Sequence, residues 1–187
     1  MIRSIPVSLL CLTAVCLTLP ASAATLPRPT PDITIHTPSG PVSPAQPQFK
    51  GKVVLLAFIQ TTCPHCQHAT GILSGLQKQY ARNGLQVLAS AFNDKAETLV
   101  PGFIQQFQPA FPVGSNTHQE VLTYLNHSVM QPLYVPTMVF IDRKGMIRYQ
   151  YLGGDPFFND LEKNLHDTIE TLLKEPAIVD QIKRHTP

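Results

Sequence analysis

Cys63-Pro64-His65-Cys66 is the stretch of this 187-residue chain in which residue types and spacing together could do covalent chemistry. Two thiols three positions apart can close into a small disulfide ring and reopen, carrying two electrons as they do. The stretch follows an unbroken apolar run, Val53–Ile59, and precedes residues Ala69, Ile72, Leu73, Leu76 and Tyr80 at helical spacing. Pro64 suits a first helical turn. Cys63 then sits at the helix start, where unpaired backbone N–H groups and the helix dipole favour an anionic sulfur. The thiolate is the attacking form. On a helical wheel the apolar stripe centres near Leu76, with Cys66 about 65° from it and Cys63 about 125°. Cys63 is therefore expected as the exposed nucleophile and Cys66 as the shielded resolving thiol, with Pro64 and His65 tuning the pair.

Other uses of these residues fit less well. Structural zinc would need two more good ligands, and a second Cys pair is absent. A static disulfide would close so small a loop that little unfolded-chain entropy is removed. Copper handling draws on four ligands within six residues, Cys63, His65, Cys66 and His68. The cysteines and histidines, however, point about 150–200° apart on the wheel. No metal and no organic cofactor is expected, because the dithiol itself carries both electrons. His36, His118, His127, His166 and His185 have no matching constellation.

The elements that must position the pair can be read around it. Residues 1–23 read as an export leader: Arg3, then an apolar stretch, then Ala21-Ser22-Ala23 as a small-residue cleavage site. About 15 apolar residues fall short of the roughly 20 that span a bilayer, so no stable membrane anchor is expected after cleavage. Cys11 and Cys16 belong to that leader, leaving Cys63 and Cys66 as the mature cysteines in an oxidising, periplasmic or otherwise extracytoplasmic setting. Residues 24–47 carry seven prolines and read as an extended lead-in, a spacer or an arm lying on the domain. A folded domain is expected over 48–175 and a tail over 176–187.

Within that domain Lys52–Gln60 and Leu85–Phe92 read as strands, flanking a helix from Cys63 to about Arg82. Leu99–Phe107 and Thr117–Leu125 read as helices with a short extended Phe111–Val113 between them. Thr137–Asp142 and Met146–Leu152 form a hairpin, and Phe158–Leu173 a closing amphipathic helix. The result is an α/β fold, a mixed central sheet with helices on both faces and a short α/β insertion. The composition, 43% hydrophobic and 14% charged, excludes bulk disorder. Lys and Arg total 14 against 12 Asp and Glu, so removing Arg3 with the leader leaves +1. No Lys/Arg run exceeds two residues, so nucleic acid is not an expected partner.

Three matches in order, Val53–Ile59, Cys63-Pro64-His65-Cys66 and Val135-Pro136-Thr137 before Met138–Asp142, resemble the thioredoxin-like superfamily over about residues 48–175. The resemblance implies that Pro136 is cis and faces the active-site disulfide. Val135, Pro136 and Thr62 would then contact a protein substrate that pairs with the Val135 backbone. The Asn93–Leu133 stretch and Phe140-Ile141-Asp142-Arg143-Lys144-Gly145 are similar to the periplasmic TlpA/ResA type of redoxin. The Pro-His dipeptide and the Val before Pro136 are similar to DsbA-type oxidants. Departures stand beside these matches. Thr62 and Ala69 occupy the usual Trp and Glu positions of the TlpA/ResA type, and Ala57 that of thioredoxin's buried Asp. No carboxylate is thus placed to take the resolving thiol's proton. A peroxiredoxin would carry Thr or Ser where Gln60 stands. The resemblance implies an exported thiol–disulfide oxidoreductase, with the direction of electron flow open and a peroxiredoxin-like peroxidase or copper metallochaperone as alternatives. Its partners would be protein thiols and disulfides and a further redox protein, and a monomer is expected.

Overall fold

The computed structural model describes residues 25–176. The expected leader, and the expected tail beyond Pro176, lie outside the described residues. The central strand is Val53–Ile59, every residue of which is buried. Side chains of a strand alternate between faces, so a strand with no polar position must be covered on both sides. It pairs in parallel with Leu85–Ala91 and antiparallel with Thr137–Ile141.

In chain order the strands are β1 (Arg28–Pro29), β2 (Ile35–Thr37), β3 (Gly40–Val42), β4 (Val53–Ile59), β5 (Leu85–Ala91), β6 (Val113–Ser115), β7 (Thr137–Ile141) and β8 (Met146–Tyr151). The helices are α1 (Pro64–Tyr80), α2 (Ala96–Phe107), α3 (His118–Leu125) and α4 (Leu161–Leu173). The eight strands form one mixed sheet in the order β1-β8-β7-β4-β5-β6-β2-β3. Val53, Leu55, Ala57 and Ile59 face a core closed by α1, α2 and α4. Val54, Leu56 and Phe58 face a second core closed by Val121, Tyr124 and Leu125 of α3, with Ile33, Ile35 and Phe49 from the N-terminal segment. This is a thioredoxin-like α/β fold with helices on both faces, as expected.

Four local readings shift. The Pro-rich lead-in, expected as a spacer or an arm lying on the domain, does lie on it and further supplies strands to both sheet edges: β1 pairs with β8, and the β2–β3 hairpin pairs through His36 with Ser115. Its prolines obscured the buried pair Ile33 and Ile35, and Arg28 Nη2 donates to the Tyr124 carbonyl at 2.8 Å. The insertion strand runs over Val113–Ser115 rather than Phe111–Val113, because Gly114 lets the chain pass under β2. A Cβ there would stand 2.5 Å from the His36 carbonyl oxygen. Helix α2 begins at Ala96, three residues before the expected Leu99, and holds Pro101 in its second turn. The closing helix is split: Asp155 accepts the Phe157 N–H at 2.8 Å to start a 3-10 turn over Pro156–Asp160, and α4 follows from Leu161.

Candidate active site

Where β4 ends, the chain makes the turn Gln60–Thr62 and enters α1 with Cys63 as its N-cap. The Cys63 amide donates to the Gln60 carbonyl at 3.1 Å, and the Cys63 carbonyl accepts the Gln67 amide at 3.0 Å. At most N-caps a side-chain oxygen accepts a free amide of the first helical turn. Here the Cys63 sulfur does so, taking the Cys66 N–H at 3.4 Å. Two side chains hold the turn from outside. Asn93 Oδ1 accepts the Thr61 amide at 2.8 Å, and Gln67 Nε2 donates to the Thr61 carbonyl at 3.0 Å. Neither was visible in the sequence, since nothing in the surroundings of Asn93 marks it as facing residue 61.

The two sulfurs differ as the helical wheel requires. Both are free thiols, Cys63 half-buried and Cys66 fully buried within the α1 core face. Burial pushes the Cys66 thiol well above its ordinary 9.0. A main-chain hydrogen bond from the Gln60 region opposes the rise, and the Cys63 sulfur adds to it. No carboxylate contributes, consistent with Ala57 and Ala69 beneath it.

Phe58 pairs with Thr137, so Pro136 stands level with the end of β4 from which the cysteine turn departs. The Val135–Pro136 bond is cis, as the resemblance implied. Pro136 is buried and Val135 half-buried. Sequence reasoning missed what fixes this loop. The Gly153 amide donates to the Tyr134 carbonyl at 3.1 Å, and a Cβ on Gly153 would stand 2.5 Å from the Tyr134 carbonyl carbon. The signal available was the Gly153-Gly154 pair after β8.

Beside the pair lies an open groove of about 490 Å³, lined by His65, His68, Ile72, Val135 and Pro136 together with residues 153–155 and 158–162. His65 and Pro136 therefore meet at one surface. Thr62 is exposed on the turn and does not line this groove. His65 and His68 are exposed on α1 while Cys66 is buried behind them, and among the described residues no three His, Cys, Asp or Glu side chains converge as a metal-ligand set.

Two outcomes follow from this geometry. Gly153→Ala should cost about 1–3 kcal/mol of stability by overpacking. A wild-type melting temperature would contradict the close approach. The buried thiol sets the sign of a pH effect on the reduced protein. Above about pH 9 the unfolded chain has lost the Cys66 proton and the folded chain has not, so stability falls as pH rises, by up to ~1.4 kcal/mol per pH unit. Below that range the contribution is fully present. In urea unfolding from pH 7 to 10.5, the advantage of reduced wild type over Cys66→Ala should therefore shrink above pH 9, and a constant difference would contradict the burial argument.

Comparison with known proteins places this geometry. The profile of the Redoxin family matches residues 26–165. The thioredoxin-like protein YneN of Bacillus subtilis is 33% identical over 130 residues, 66% of this chain and 69% of its own length. The thiol-disulfide oxidoreductase ResA of Bacillus thuringiensis is 30% identical over 117 residues, 63% of this chain and 64% of its own. The crystal structure of a thiol:disulfide interchange protein of the thioredoxin family from Chlorobium tepidum superposes with a TM-score of 0.63 at 23% identity, covering 81% of this chain and 99% of that one. The last shows a shared fold; the profile match, spanning most of the chain, shows that it belongs to the Redoxin family.

Proposed function

We propose that the chain is an exported thiol–disulfide oxidoreductase that exchanges disulfides with protein substrates through Cys63 and Cys66. The observation that carries this reading is the asymmetry of the pair: a half-exposed sulfur capping α1 beside a fully buried one, next to cis-Pro136. The names borne by the ResA relatives support the reaction class, and the leader-like residues 1–23 support export.

In the reducing direction the Cys63 thiolate attacks one sulfur of a client disulfide. The Cys63–client bond forms, the client S–S bond breaks, and the second client sulfur leaves as a thiolate that takes from solvent the proton Cys63 gave up on ionising. Cys66 then attacks the Cys63 sulfur. Its proton passes to the departing client thiolate, the mixed disulfide breaks, and the chain holds the Cys63–Cys66 disulfide while the client is a dithiol. The oxidising direction runs the same steps backwards. Burial keeps Cys66 protonated until the mixed disulfide forms, so it attacks only when a departing sulfur can take its proton. Among the described residues the Val135 amide and carbonyl have no protein hydrogen-bond partner, which leaves them free to pair with a client strand.

Trapping tests this directly. Cys66→Ser should accumulate mixed disulfides with client proteins through Cys63, visible on non-reducing gels and reversed by dithiothreitol, while Cys63→Ser should accumulate none. Equal trapping by both variants, or by neither in the presence of disulfide-bonded protein, would overturn the assignment.

A further inference from the structure

The groove beside the cysteine pair has a charge pattern that exchange chemistry alone does not require. Ile72, Val135, Pro136, Phe158 and Leu161 give it apolar lining, Asp155, Asp160 and Glu162 acidic lining, and His65 and His68 are its other titratable residues; no Lys or Arg lines it. Asp155 spends one oxygen on the Phe157 amide. Asp160 is the N-cap of α4 yet makes no side-chain cap, and neither it nor Glu162 is paired with a cation among the described residues. The nearest lysine along the helix, Lys163, points its ammonium to Asp167 at 2.6 Å and feels Asp160 only as the weakest of its neighbours.

Cations gather at the other end of the sheet. Lys50, Lys52, Arg143 and Lys144 line a separate pocket at the start of β4 and the end of β7, whereas Cys63 follows the end of β4 and Pro136 precedes the start of β7. A chain of nearly balanced charge thus presents carboxylates where a client must dock, and at the opposite pole four cationic side chains against the one carboxylate of Asp142. Such segregation orients an approaching charged partner even when net charge is small.

Building on the exchange reading above, we propose that this groove selects client segments carrying a Lys or Arg beside an apolar residue close to the reacting cysteine. The apolar side chain sits over Ile72, Phe158 and Leu161, and the cation reaches the carboxylates of Asp160 and Glu162. Both carboxylates are exposed, so they act by steering and rim pairing rather than as buried ion pairs.

The test uses the full chain and synthetic peptides that each hold one cysteine as a mixed disulfide, flanked by Leu-Lys or by Leu-Glu, with hydroxyethyl disulfide as an uncharged small reference. The readout is the ratio of the Lys-peptide to the Glu-peptide exchange rate, taken within each variant. A ratio of about 10 at low salt is expected, falling as ionic strength passes ~0.15 M, where the screening length is about 8 Å. The double substitution Asp160→Asn, Glu162→Gln should bring the ratio towards 1. A ratio near 1 in wild type, or a preference that survives the double substitution, would overturn the proposal while leaving exchange itself intact. Failure of hydroxyethyl disulfide to react at all would instead remove the exchange reading and this one with it.

Discussion

The hydrogen bond from the Cys66 amide to the Cys63 sulfur, at 3.4 Å, joins the fold to the chemistry. It exists because β4, buried on both faces, ends at Ile59 and hands the chain to a helix whose first amides need an acceptor. A sulfur in that position is held at the surface end of α1 by the helix it caps. The next inward-facing residue of the same turn is Cys66, which the core then closes over. Reactive and shielded thiols follow from one helix start. The same strand fixes the other half of the site, since its antiparallel pairing with β7 brings cis-Pro136 level with the turn.

Around that junction the supporting contacts are polar and short. Asn93 and Gln67 hold the Thr61 peptide from two sides, and Gly153 holds the Tyr134 carbonyl. These residues come from just after β5, from α1 and from the turn after β8, so the site is held from elements on both sides of the central strand. Polar anchors suit loops that must keep a fixed shape without a core of their own, because an unpaired backbone group there costs about as much as a lost hydrogen bond. At the far pole Arg143 does similar work, donating to the carbonyls of Gly51, Asn83 and Leu173.

Much of this is legible in the amino-acid sequence. Val53–Ile59 announced a doubly covered strand, the spacing of Ala69, Leu73 and Leu76 announced α1, and the wheel alone ranked the two sulfurs correctly by burial. The illegible parts share a cause: they depend on contacts distant in sequence. Ile33 and Ile35 sit among prolines and gain meaning only once the sheet edge beside Ser115 exists. Asn93 and Gly153 meet residues 61 and 134 across the fold, and no local period encodes such a meeting. The split before α4 turned on Asp155 capping a 3-10 turn, which a continuous amphipathic pattern over 158–173 conceals.

For the pair to work this way, one sulfur must be accessible and the other not. Brief treatment of the reduced, folded full chain with iodoacetamide at neutral pH, followed by peptide mass mapping, measures this without knowledge of any client. Cys63 should be carbamidomethylated and Cys66 should stay unlabelled until denaturant is added. Labelling of Cys66 first, or of both sulfurs at the same rate in the folded protein, would contradict the account.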